Sequence, residues 1–160
     1  MPVTSSSGSL AARVEWFCFN TEAQGHREMD NIQMTENDIG TVIVSAAIEV
    51  HRTLGGPGLL ECVYEEALCY ELKDRGLEVI RQKSVSIVYK KVALKNNLRL
   101  DILVNDKVII EVKATTQYNK VFESQVLTYM RLSKIKLGYV INFGETIIKN
   151  GIHRVINGVL

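Results

Sequence analysis

The sequence predicts an α/β domain in which helices flank a mixed β-sheet. Three observations carry this. Two glycine-stopped helical stripes open the ordered part of the chain. Short alternating or wholly apolar runs follow them, and a third long helical stretch separates the last of these from two more. Thr35-Glu36-Asn37-Asp38 reads as a helix start, with Thr35 as N-cap and an acid three residues on. Ile39, Val42, Ile43, Ala46, Ile48 and Val50 continue the stripe to about Leu54, where Gly55-Gly56-Pro57-Gly58 stops it. A second helix is expected from about Leu60 to Arg75, with Val63, Tyr64, Ala67, Leu68 and Leu72 inside and Gly76 at its C-terminal end.

Three strands are expected next. Val85, Ile87 and Tyr89 alternate with polar residues, as do Leu98, Leu100 and Ile102. Val108–Val112 is almost wholly apolar, the pattern of a central strand buried on both faces. A third helix spans about Tyr118–Ser133, then Leu137–Phe143 and Gly151–Ile156 complete the order ααβββαββ. The helical crossover implies that the third and fourth strands run parallel.

The 160-residue length fits one domain with a sizeable core. Residues 1–34 show no periodicity and are expected to form a disordered or loosely attached leader; the domain is 35–160. Glu15 interrupts the apolar Trp16-Phe17-Cys18-Phe19 stretch and no basic segment precedes it, which argues against a secretory signal. No apolar run reaches membrane-spanning length. Cys18, Cys62 and Cys69 form no CxxC pair; a reducing cytoplasmic setting is expected, with Cys62 and Cys69 as small buried residues. Residues 1–40 carry two Arg against six acids, a net of −4, whereas 41–160 carry 17 Lys and Arg against 12 acids, a net of +5. A mildly basic domain is compatible with a phosphate-bearing partner.

The candidate chemistry lies at Asp101 and, ten residues later, Glu111-Val112-Lys113. Strand side chains alternate, so Glu111 and Lys113 share a face. Two carboxylates beside an ammonium suit a divalent cation and hydrolysis of a phosphodiester. A structural ion pair with Lys113 or Arg99 would equally satisfy a buried Glu111. The turn decides whether the acids can meet. A two-residue turn at Asn105-Asp106 puts Asp101 opposite Ile110 and the acids on opposite faces. A three-residue connection through Lys107, or a bulge, puts Asp101 opposite Glu111.

Flanking residues add to the pattern. Glu61 opens the second helix, and Gln125 and Tyr129 lie four apart on one face of the third. Gly58, Glu61 and Tyr64 spell G-x-x-E-x-x-Y, and with Glu49-Val50-His51-Arg52 and Asn142-Phe143-Gly144 the chain resembles the small bacterial GxxExxY proteins from about Asp38 to Phe143. That family is placed in the PD-(D/E)XK nuclease superfamily, so the resemblance implies a restriction-endonuclease-like core. It further implies that Asp101 and Glu111 are metal-binding acids, that Lys113 is the motif lysine and that Glu61 is the helix-borne acid. Gln125 and Tyr129 resemble the Q-x-x-x-Y pair of exonuclease-like members. The sequence departs from the pattern at Gly55-Gly56, where one glycine is expected, and at Leu100, where the superfamily name has proline.

The activity implied is Mg²⁺- or Mn²⁺-dependent hydrolysis of nucleic acid, DNA rather than RNA, with Gln125 and Tyr129 positioning the substrate backbone. Glu65, one turn beyond Glu61, competes for its role; His51 and Arg52 could meet phosphate but also suit a helix C-terminus, and His153 is expected at the surface. The alternative is an idle nucleic-acid-binding or protein-interaction module of the same fold. A homo-oligomer or a larger complex is compatible with either.

Overall fold

A computed structural model describes residues 34–160. The leader, Cys18 and the question of a signal segment lie outside the described residues. Helix α1 (Glu36–Thr53) starts with the expected capping box: the Thr35 side chain accepts from Asp38 N, and the Asp38 side chain accepts from Thr35 N. Helix α2 spans Glu61–Asp74, and Gly76 just beyond it takes φ +80. Strands β1 (Val79–Val85), β4 (Leu98–Val104), β5 (Val108–Lys113), β6 (Leu137–Asn142) and β7 (Ile152–Ile156) form one sheet in the order β1-β4-β5-β6-β7. Helix α3 (Val121–Ser133) crosses from β5 to β6, and these two strands pair in parallel, as expected; the other neighbours are antiparallel. This five-stranded mixed sheet flanked by helices is a restriction-endonuclease-like architecture.

The core divides by sheet face. Ile39, Ile43, Ala46, Ala47, Tyr64, Leu68 and Leu72 of α1 and α2 pack with Ile110, Val112, Tyr139 and Ile141. Val126 and Met130 of α3 pack on the other face with Ile109 and Val140. A Cβ on Gly138 of β6 would lie 2.7 Å from Val126 and 2.8 Å from Met130, so glycine lets α3 settle close to the sheet. Burial on both sides explains why β5 and β6 are mostly apolar on both faces.

Three expectations need correction. The first strand does not run through Val85, Ile87 and Tyr89; it begins at Val79 and ends at Val85. Its alternation is broken because Val79 packs with the α1/α2 core and Val85 with the α3 core. The reversal centres on Gln82, whose φ is +55. Val88–Tyr89 (β2) and Val92–Ala93 (β3) instead form a small separate hairpin, so five strands rather than three lie between α2 and α3. Cys62 is exposed, although Cys69 is buried. Val63, expected inside α2, is also exposed, because it turns away from the sheet while Tyr64 is fully buried.

Candidate functional site

The β4–β5 connection is Asn105-Asp106-Lys107, with pairs Val104↔Val108, Leu103↔Ile109 and Ile102↔Ile110. Asn105 and Asp106 both take positive φ, +48 and +52, in a tight turn closed by Lys107 N to Val104 O. Their short polar side chains tolerate that conformation. The count is odd, and the register therefore sets Asp101 opposite Glu111. Backbone pairing stops one rung short of them. The Val112 N–H goes instead to the Asp101 carboxylate, at 3.0 Å. Just there β4 reverses its faces: Leu98 and Leu100 lie in the α3 core, Ile102 and Val104 in the α1/α2 core. A break in the ladder thus aims the Asp101 side chain at the end of β5.

Glu111 is 3% exposed on the face that α3 covers. Lys113 Nζ donates to its Oε1 at 2.7 Å, and Gln125 Nε2 reaches the same oxygen at 3.3 Å. Tyr129 is hydrogen-bonded to Gln125. The other carboxylate oxygen, Glu111 Oε2, is buried without a hydrogen-bond partner among the described residues. Glu61 stands 4.0 Å from Lys113 Nζ at the start of α2, and Lys113 lies 5.4 Å from the Phe122 ring centroid. All six residues singled out from the sequence therefore gather around the end of β5.

Electrostatics bind the group together. Burial raises the carboxyl pKa of Asp101, against the Val112 N–H and the Lys113 charge. Burial and the charge of Asp101 raise that of Glu111, against Lys113. Burial also raises Glu61, with Lys113 opposing. Burial opposes the charge on Lys113, but the hydrogen bond and charge of Glu111 prevail and hold the ammonium above its ordinary value. Lys113 is therefore a cation at neutral pH. Among the described residues no three acids, histidines or cysteines close into a ready-made metal cage. The Lys113–Glu111 pair takes part of that space. An unpartnered buried carboxylate oxygen, with two more acids alongside, is nonetheless a donor set suited to a hard divalent cation.

Glu65 is separated from Glu61 by its partners. It is buried, and its Oε1 accepts from Arg81 at 2.7 Å and from Gln82 at 2.6 Å. Arg81 neutralises it, whereas Glu61 is half-exposed and faces Lys113. Gln82, level with Asp101 in the β1/β4 register, is a neighbour that the sequence did not mark. Only recognising Val79–Val85 as a strand would have brought it into view. His51 does not reach the cluster: its Nε2 bonds Glu145 O at 2.9 Å. Arg52 pairs with Glu49 on α1, and His153 is half-buried, stacked on Tyr118 at 4.0 Å between centroids.

The glycine-to-tyrosine motif has a mechanical role. Gly58 takes φ +116 in the turn before α2. Tyr64 OH donates to Gly56 O at 2.8 Å and accepts from Leu59 N at 3.1 Å, and its ring stacks on Phe143 at 4.6 Å. The tyrosine ties down the loop that presents Glu61. Tyr64→Phe keeps the stacking but orphans both loop groups, and chemical denaturation should show a loss of about 1–2 kcal/mol.

A family model described as the PD-(D/E)XK nuclease superfamily matches residues 37–155. Neither a curated protein nor a solved structure gives a significant match. The matched span holds the sheet but for the last residue of β7, and every member of the cluster, and the chain belongs to the PD-(D/E)XK nuclease superfamily.

Proposed function

We propose that the protein is a divalent-metal-dependent nuclease of the GxxExxY type that hydrolyses DNA. The observation that carries this reading is the meeting of Asp101, Glu111 and Lys113 where β4–β5 pairing stops, with Glu111 Oε2 left without a partner among the described residues. Asp101 and Glu111, with the Val112 carbonyl, would hold Mg²⁺ or Mn²⁺, and Glu61 would complete the shell directly or through water. When bound, the cation supplies a lowered water pKa and neutralises charge developing on phosphate. In the reaction, water oxygen attacks phosphorus and the P–O ester bond breaks, leaving a phosphomonoester and a free hydroxyl.

Lys113 stays protonated, so it acts as a donor rather than a base: it orients the attacking water or steadies charge on the scissile phosphate. Gln125 holds Glu111 and is itself held by Tyr129, which makes these two positioning residues for the carboxylate and for the substrate backbone. The Q-x-x-x-Y resemblance favours end-directed or processing cleavage.

The 2.7 Å Lys113–Glu111 pair also favours a second reading, an idle module in which that pair is structural. Cation titration separates the two. Mg²⁺ or Mn²⁺ should raise the melting temperature, and single-stranded, duplex and branched DNA should include a substrate that is cut. Lys113→Ala should cut at least about a hundredfold more slowly. A protein that takes up no cation and cuts nothing would establish the idle module.

A further inference from the structure

Between Lys83 and Arg99 the chain carries five cations (Lys83, Lys90, Lys91, Lys95 and Arg99) and no acid. Lys83 is paired with Asp106 at 3.0 Å. Among the described residues the other four are exposed and have no ion-pair partner. Three of them belong to the β2–β3 hairpin and its return, where every residue from Val88 to Asn97 is exposed. The hairpin contributes nothing to either core cluster, and so small a ribbon is marginal in water. Lys90 and Lys91 form its tip, and Lys90 takes φ +57, a conformation in which glycine or asparagine is favoured. Charge is thus kept at the tip against backbone preference.

The hairpin also leaves the sheet at a telling place. β1 enters it after Val85 and β4 returns at Leu98. Because β4 and β5 are antiparallel, that is the end at which β5 finishes in Lys113, with Arg99 level with Lys113 by register. At about 3.3 Å per residue, the tip lies within roughly 25 Å of Leu98. This is less than one turn of duplex, about 34 Å.

We propose that the β2–β3 hairpin is a clamp for double-stranded DNA, with Lys90, Lys91 and Lys95 holding phosphates on one flank of the bond to be cut; the inference rests on the nuclease reading for that bond. A convex two-stranded ribbon matches the B-form major groove, about 12 Å wide, and not the deep, narrow major groove of A-form RNA. Single strands are gripped in concave grooves by stacked aromatics. Here the exposed aromatic is Tyr89, with Lys90 Nζ 5.5 Å from its ring centroid.

The test is Lys90→Asn/Lys91→Ser, which suits the turn and removes two charges. Binding to a 30-base-pair DNA, the same sequence as single strand, and the matching RNA duplex is measured across a salt series. An Asp101→Asn background keeps the DNA intact. The double variant should bind duplex DNA about tenfold or more weakly, and its salt slope should fall by about 1.8. Its melting temperature should not move, and with native Asp101 its KM should rise while kcat holds. Unchanged affinity and slope, or no duplex binding by the parent, would overturn the clamp. Equal binding and equal loss on single strands or RNA would overturn its assignment to duplex DNA. Hairpin-dependent binding with no cleavage by the native chain would sink the nuclease reading and leave the clamp standing.

Discussion

Asp101→Asn is expected to abolish cleavage, by about a thousandfold or more, and at the same time to stabilise the metal-free protein. Asn retains an oxygen that can accept the Val112 N–H, so the strand end keeps its shape. What it loses is a charge. Burial raises the Asp101 pKa in the folded state, against the Val112 N–H and the Lys113 charge, so the native chain binds its proton more readily than the unfolded one. Stability then falls as pH rises from the ordinary carboxylate range through the raised folded value. Below about pH 4 both states are protonated and the wild type suffers no penalty. The variant should therefore match the wild type near pH 3 and be the more stable of the two at pH 8 in EDTA. Thermal melts across pH measure this, and Mg²⁺ should raise the wild-type melting temperature while leaving the variant's unchanged. A variant less stable than the wild type at pH 8 would mean that Asp101 is a structural acid.

How much of this was legible in the sequence depended on whether a local pattern was left undisturbed. The Thr35/Asp38 capping box, the stop after Leu54 and the mostly apolar β5 and β6 follow directly from residue order, because each rests on short-range geometry or uniform burial. The parallel β5/β6 pair followed from the need to cross over through α3. The register was legible only as a condition: Asn105-Asp106 marks a turn, but nothing local says whether Lys107 belongs to it. The structure settles that in favour of three residues.

What escaped was the edge of the sheet. β1 is half solvated and changes faces at Gln82, so its apolar residues fall out of period and the alternation at Val85, Ile87 and Tyr89 looks more regular than the true strand. With β1 went Arg81 and Gln82, the partners that distinguish Glu65 from Glu61. Contacts between a helix and an edge strand sixteen residues away leave no local trace. The pin made by Tyr64 was likewise hidden: the motif tyrosine is visible as a letter, but its two hydrogen bonds to the preceding loop are not.

Gly144→Ala should destabilise the fold by about 3 kcal/mol or more, although Gly144 takes no left-handed conformation. The cause is space. A Cβ there would overlap Thr115 O and lie 2.5 Å from Thr115 C and 2.7 Å from Thr115 N. These are backbone atoms with nowhere to go, because Asn142 has fixed them: its Nδ2 donates to Thr115 O at 2.8 Å, and its Oδ1 accepts from Thr115 N at 2.9 Å and from Gly144 N at 3.1 Å. Asn142 is fully buried and Phe143 N bonds Lys113 O at 2.7 Å, so the clamp fastens the exit of β6 to the exit of β5. Lys113 is the last residue of β5, and whatever pushes Thr115 away moves the ammonium from Glu111. A contrasting substitution is Gly55→Ala, which meets no atom of the described residues within 4 Å and bears only the strain of φ +85, about 1 kcal/mol. Urea denaturation of the two variants should therefore differ by about 2 kcal/mol, with Gly144→Ala the weaker. Residual cleavage per folded molecule should drop for Gly144→Ala alone, since Gly55 lies on the other side of the Tyr64 pin. Equal losses in both would mean that the Asn142 clamp yields, and that the Lys113 end of β5 is not held from β6.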